Sequence, residues 1–151
     1  MILLLSTLFN AQAGPYQGFR LGLCAGLSTS CNTAQLEVGL NFSKIALKVG
    51  GGIFNFKASG QYYLSDTTED FRKFVGVHYA LGYPYMLHQY TSVELGLGTG
   101  YGLSFGGDLH LLENKRLIVT PQISIDYIQH DAVTGSAIVP ALGVGIGYAL
   151  F

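Results

Sequence analysis

The chain has 151 residues, 49% of them hydrophobic and only 11% charged, with a formal net charge of −1. One domain of this length closes a barrel or a sandwich, yet a water-facing surface normally draws on about 25% charged residues. Near-neutral charge without a basic cluster argues against nucleic acid, and after the N-terminus no run of about 20 apolar residues supplies a helix that crosses a bilayer.

Met1 to Ala13 reads MILLLSTLFNAQA, an apolar run (Ile2 to Phe9) followed by the small-x-small pattern Ala11-Gln12-Ala13. That is the hydrophobic region and cleavage site of a secretory signal peptide without its basic n-region. The competing reading is a first core strand or short helix. With a signal at 1–13, the mature domain spans 14–151 and lies beyond the inner membrane.

From Gly18 onward the hydrophobic period is two. Strand one, Gly18 to Leu27, sets Phe19, Leu21, Leu23, Ala25 and Leu27 against Arg20, Gly22, Cys24 and Gly26. Strand two, Thr33 to Phe42, sets Leu36, Val38 and Leu40 against Gln35, Glu37, Gly39 and Asn41. Ser43-Lys44 turns into strand three, where Ile45, Leu47 and Val49 oppose Ala46, Lys48 and Gly50. The parity flips near Gly50-Gly51-Gly52, which marks a tight turn or a bulge. Strand four then sets Phe56, Ala58, Gly60, Tyr62 and Leu64 against Asn55, Lys57, Ser59 and Gln61.

Ser65 to Asp70 is a polar turn, and strand five runs from Arg72 to Gly82 with His78 on its polar side. Tyr83 to Tyr90 reads as an aromatic-rich loop. Ser92 to Leu112 alternates Val93, Leu95, Leu97, Tyr101, Leu103 and Phe105 with Glu94, four glycines and Ser104. It is one long strand or a hairpin folded at Gly106-Gly107. Glu113 to Arg116 turns into LIVTPQISIDY (Leu117 to Tyr127), and Gln129 to Ser136 is the last loop. The final strand, Ala137 to Phe151, opposes Ile138, Leu142, Val144, Ile146 and Tyr148 to Gly143, Gly145 and Gly147. Pro121 and Pro140 each remove a ladder donor, so a bulge or rim position is expected at each.

No helical period competes. The pattern implies an all-β fold, a closed antiparallel up-and-down transmembrane β-barrel of about eight strands, or about ten if both glycine sites are hairpins. The polar side holds Arg20, Glu37, Lys48, Lys57, Glu94 and Asp126 among glycine and small polar residues. Three cations and three carboxylates among small residues suit a lumen in which they form a buried ionic network. A water-facing side would carry many more Lys and Glu. The other side is charge-free except for Lys73 at a strand start, as contact with lipid demands, because an outward Lys or Arg at mid-depth costs about 2–4 kcal/mol. Tyr16, Phe19, Phe42, Tyr62, Phe71, Tyr83, Tyr85, Tyr90, Tyr127 and Phe151 fall near strand ends, where aromatic girdles lie. Cys24 and Cys31 share the lumen parity across a small-residue turn, leaving open a disulfide or two free thiols.

The C-terminal GVGIGYALF (Gly143 to Phe151), QYYLSD (Gln61 to Asp66) leading to FVGVHYALGY (Phe74 to Tyr83), and ELGLGTGYGL from Glu94 resemble the small bacterial outer-membrane β-barrel proteins. The likeness covers about Gly18 to Phe151, and its motifs are shared by barrels of many functions. It implies a bacterial outer-membrane location, membrane lipid as surroundings, a monomer, and both termini periplasmic. It also implies recognition of the last strand by the outer-membrane assembly machinery, although Phe151 is out of phase with Tyr148 and Leu150 is in phase.

Two function classes follow. The first is a non-enzymatic barrel: structural, surface-interacting, or a narrow porin-like passage for small solutes. The alternative is an outer-leaflet lipid-modifying enzyme, similar to a lipid A acyl hydrolase, for which His130-Asp131 with Ser136 and Asp126 are the available groups. The pairing of His with Ser that such an enzyme needs is missing, so no catalytic residue is assigned. The spacing of His78, His88, His110 and His130 suggests no metal site, and the Gly-x-Gly runs lie within strands, where they bind no nucleotide cofactor.

Overall fold

The computed structural model describes residues 18–28, 31–32, 35–52, 55–66, 69–89, 92–112, 114–130 and 136–150, with side chains described outside 26–35, 83–97 and 130. The signal segment, Tyr16, Tyr90 and Phe151 lie outside them. Nine strand segments are formed: β1 Gly18–Ser28, β2 Cys31–Asn32, β3 Gln35–Asn41, β4 Ile45–Gly51, β5 Phe56–Tyr63, β6 Phe71–Gln89, β7 Ser92–Leu111, β8 Leu117–His130 and β9 Ser136–Ala149. β2 and β3 both pair antiparallel with β1 (Ser28 opposite Cys31, Cys24 opposite Gln35) and count as one stave. Each later strand pairs antiparallel with its predecessor, and β1 closes the ring on β9 from Arg20 opposite Ala149 to Gly26 opposite Gly143. The result is a closed, eight-staved, all-antiparallel barrel.

The barrel is inside-out. Leu23 is 61% exposed and Ile146 54%, whereas Asp108 and Asp126 are 0% exposed. Alternation enforces this: every strand offers one face to the axis and the other to the surroundings. On β8 the outward run from Leu117 to Tyr127 covers eleven residues, about 25 Å of height at a strand tilt of about 40°. That is the height of a bilayer's apolar band.

Short turns join the staves at one end. Phe42 and Ile45 exchange backbone hydrogen bonds across Ser43-Lys44 (2.7 and 3.2 Å). Between β7 and β8, Leu112 and Lys115 take positive φ (68° and 54°), closed by Lys115 N–H donating to the Leu112 carbonyl at 3.0 Å. At the opposite end, the parity flip after Gly51 is a turn, in which Gly52 N–H donates to the Asn55 carbonyl at 2.9 Å.

Two expectations change, at Tyr83–Gln89 and at Pro121, and one open alternative is settled. Ser92–Leu111 is one strand, not a hairpin at Gly106-Gly107. Tyr83 to Gln89 is not a loop, because β6 continues to Gln89, pairing with β7 up to Gln89 opposite Ser92. Gly82, with φ of 72°, absorbs the register shift between Leu81 and Tyr83. Pro84 is tolerated because β5 ends opposite Leu81, so that edge of β6 has no described neighbour. Pro121 makes no bulge, whereas Pro140 takes the edge position that was the other alternative. Pro121 sits inside β8 at unchanged register, and the ladder to β7 lapses only at Gly107 and Asp108. Pro140 pairs with Ile125 and lies beyond the described pairing of β9 with β1.

Candidate functional site: the charged interior

Among the described residues the interior holds four buried cations (Arg20, Lys48, Lys57, Arg72) and three buried carboxylates (Glu37, Asp108, Asp126). Charges this deep survive only when paired and hydrogen-bonded. Asp108 is the hub of the half nearer the short turns. Arg20 Nη1 donates to Asp108 Oδ2 at 3.0 Å, and Arg20 Nη2 donates to Thr120 Oγ1 at 2.7 Å. Thr120 in turn donates to Asp108 Oδ1, and the Tyr63 hydroxyl donates to Oδ2. Its carboxylate therefore receives three donors from three strands, β1, β5 and β8.

Aromatic rings pack beneath this hub. The Arg72 guanidinium lies 3.8 Å from the Tyr63 ring centroid and donates to the Ser43 carbonyl. Tyr63 meets Phe74 edge to face at 6.1 Å, and Lys48 Nζ lies 5.7 Å from the Phe74 ring. Ala46, Tyr63 and Phe74 form the buried apolar cluster at this level. Cation–π contacts of this kind gain strength where water is excluded.

Toward the other end, Lys57 pairs with Glu37, and His78 Nε2 lies 2.9 Å from Asp126 Oδ1. Small residues make room for these groups. A Cβ on Gly102 would sit 2.4 Å from the Ile125 carbonyl and 2.7 Å from Asp126 Oδ1, so only glycine lets the His78–Asp126 contact form there. A cavity of about 10 Å³ remains between the two halves, lined by Cys24, Glu37, Lys48, Gln61, Thr120 and Gln122 among others. It has room for about one water molecule.

No family model matches the chain, and no curated protein matches it. Two solved structures share its architecture. The N-terminal β-barrel domain of Pseudomonas aeruginosa OprF superposes with a TM-score of 0.53 at 10% identity, covering 86% of this chain and 95% of that one. Neisserial surface protein A (NspA) gives 0.56 at 12% identity, with 87% and 94% covered. Both are eight-stranded outer-membrane barrels. This chain has their fold.

Within that fold, the residues singled out from the sequence separate as follows. Arg20, Glu37, Lys48, Lys57 and Asp126 are all buried inside the cylinder. Arg20 belongs to the Asp108 hub, Glu37 pairs with Lys57, Asp126 meets His78, and Lys48 is held over Phe74. The side chain of Glu94 lies outside the described residues, as do those of Cys31, His88 and His130. Cys24 is buried and is not a free thiol. His110 Nδ1 donates to the Lys115 carbonyl at 3.1 Å, which ties β7 to its turn.

Sequence reasoning missed the hub. Asp108 has the lumen parity of Ser104, on the far side of the Gly106-Gly107 pair. Arg72 and Tyr63 lie at strand ends where parity is counted over one or two residues. The signal that finds Asp108 is its lumen parity, carried past Gly107; the ladder to β8 lapses at Gly107 and Asp108, opposite Pro121.

The outer face carries girdles at two heights. Phe42, Tyr62 and Phe71 are exposed near the short turns. Tyr79, Tyr101 and Tyr127 form one row across β6, β7 and β8 toward the opposite end, with Tyr101 and Tyr127 ring centroids 5.0 Å apart. Tyr79 and Tyr101 add to the aromatics picked from the sequence.

Proposed function

We propose that the chain is an integral protein of the bacterial outer membrane whose barrel serves structure and surface contact and does not conduct solutes. The observation that carries this reading is the Arg20–Asp108–Thr120–Tyr63 hub with Arg72 and Phe74 beneath it, which sets mutually bonded, buried side chains from several staves across the interior at that level. An interior of eight staves is just wide enough to fill with side chains. An outward belt about 25 Å tall between aromatic rows supports residence in a bilayer. In this reading residues 1–13 are removed, the termini and short turns face the periplasm, and β9 is the strand the assembly machinery handles. The paired β6–β7 ribbon, which outruns β5 and β8, is the surface offered to partners, and the protein works as a monomer.

Planar bilayers doped with the purified protein test the central statement. The expected trace shows no unitary steps above the lipid baseline. Regular conductance steps that vanish on heat denaturation would overturn it.

A further inference from the structure

Gly60 is the exception on the outward face of β5, between Phe56, Ala58 and Tyr62. Leu47 of β4 and Val77 of β6 stand opposite it on either side. A Cβ at Gly60 would meet Leu47 at 3.8 Å and Val77 at 4.0 Å, ordinary contact distances, so packing does not demand glycine here as it does at Gly102. The missing side chain opens a groove of about 370 Å³ walled by Ile45, Tyr62, Val75, Val77, Leu103 and Phe105. At its foot stands Lys73, one outward step below Val75, about 7 Å along β6. Lys73 is exposed, and it is the one basic side chain that a strand turns outward among the described residues. No ion pair involves it there, and its outward neighbours are apolar: Leu64, Phe71 and Leu109.

An unpaired ammonium at the foot of an oily groove is the complement of one lipid. We propose that Lys73 and the Gly60 groove bind a single anionic phospholipid from the leaflet that meets the short turns. The phosphate sits on Lys73 Nζ, and one acyl chain lies along the groove. The second outward groove, about 450 Å³ beside Tyr101 and Tyr127, has no Lys or Arg turned outward at its edge among the described residues and so lacks the means to choose a headgroup. The inference rests on the membrane-spanning reading above but not on which leaflet the turns face.

Native mass spectrometry of the full chain, folded in detergent and supplied with phosphatidylglycerol or phosphatidylcholine, tests it. Wild-type protein should retain one phosphatidylglycerol in preference to phosphatidylcholine. Lys73→Gln should cut that retention about fivefold, the factor that one interfacial lysine contributes, and Lys73→Arg should restore it. Gly60→Leu, which fills the groove and keeps the charge, should lower retention of both lipids. Equal retention of the two lipids by wild-type protein, or unchanged retention in Lys73→Gln or Gly60→Leu, overturns the proposal. Heat-modifiable gel migration shows that each variant is folded. Failure of the membrane reading registers separately, as wild-type protein that does not insert into liposomes.

Discussion

Asp108→Asn is the substitution that should reveal what holds the cylinder shut. The replacement keeps the shape but removes the charge that Arg20 Nη1 meets at 3.0 Å, and it can set an amide donor against donors from Tyr63 and Thr120. Both Arg20 and Asp108 are almost wholly excluded from solvent, at 2% and 0% exposure. Breaking such a pair from one side strands a buried charge and costs about 3–5 kcal/mol. For a domain of this size that is on the order of 10 °C in Tm. The assay is the fraction of heat-resistant, fast-migrating barrel against temperature in detergent, with urea titration in phospholipid vesicles supplying the free energy. Arg20→Met combined with Asp108→Leu should recover much of the loss, because an apolar pair carries no desolvation penalty. A melting point for Asp108→Asn within about 2 °C of wild type, a shift worth under about 1 kcal/mol, would refute the hub.

Other outcomes follow from the same geometry. Ile123→Arg, at mid-height on the outward face of β8, should destabilise the protein in vesicles by about 2–4 kcal/mol, while Leu112→Arg at the turn should cost about 0–1 kcal/mol; equal costs would place the lipid boundary elsewhere. We propose that Cys24 bonds to Cys31. Without reductant neither residue should then alkylate, and modification of both in non-reduced protein would exclude the bond. The turn carboxylates Asp66 and Asp70 lie below the usual aspartate value because Lys44 and Lys115 hydrogen-bond to them at 2.8 and 2.7 Å. A depressed folded pKa stabilises above the unfolded value, about 3.9, and that contribution disappears as pH falls through the depressed value. An NMR titration should show the Asp66 midpoint below about 3.9 and returning there in Lys44→Met; an unmoved midpoint in the variant would remove Lys44 as the cause.

The two faces were legible in the sequence because alternation is local: a residue's parity needs only its neighbours, so Leu21 and Arg20 sort correctly without knowledge of the ring. The contacts inside the cylinder were not legible. Arg20 and Asp108 are 88 positions apart and meet only because β1 closes on β9, which sets a stagger no local pattern encodes. Glycine was ambiguous for a related reason. Gly106-Gly107 looks like a turn but is strand backbone, where a Cβ on Gly107 would come within 2.3 Å of the Phe71 ring. Pro84 misled in the opposite direction, because a proline stops a strand only where a neighbour needs its N–H, and that depends on where β5 ends.

The staves are of unequal height. β5 ends at Phe56, while β6 runs to Gln89 and β7 begins at Ser92. The outward run of β5 from Phe56 to Leu64 spans about 20 Å, against about 25 Å on β8. Hydrophobic mismatch of this size is relieved by leaning or by thinning the bilayer, at fractions of a kcal/mol per Å. If the barrel spans a bilayer as proposed above, the cylinder leans or the bilayer thins on the β4–β5 side.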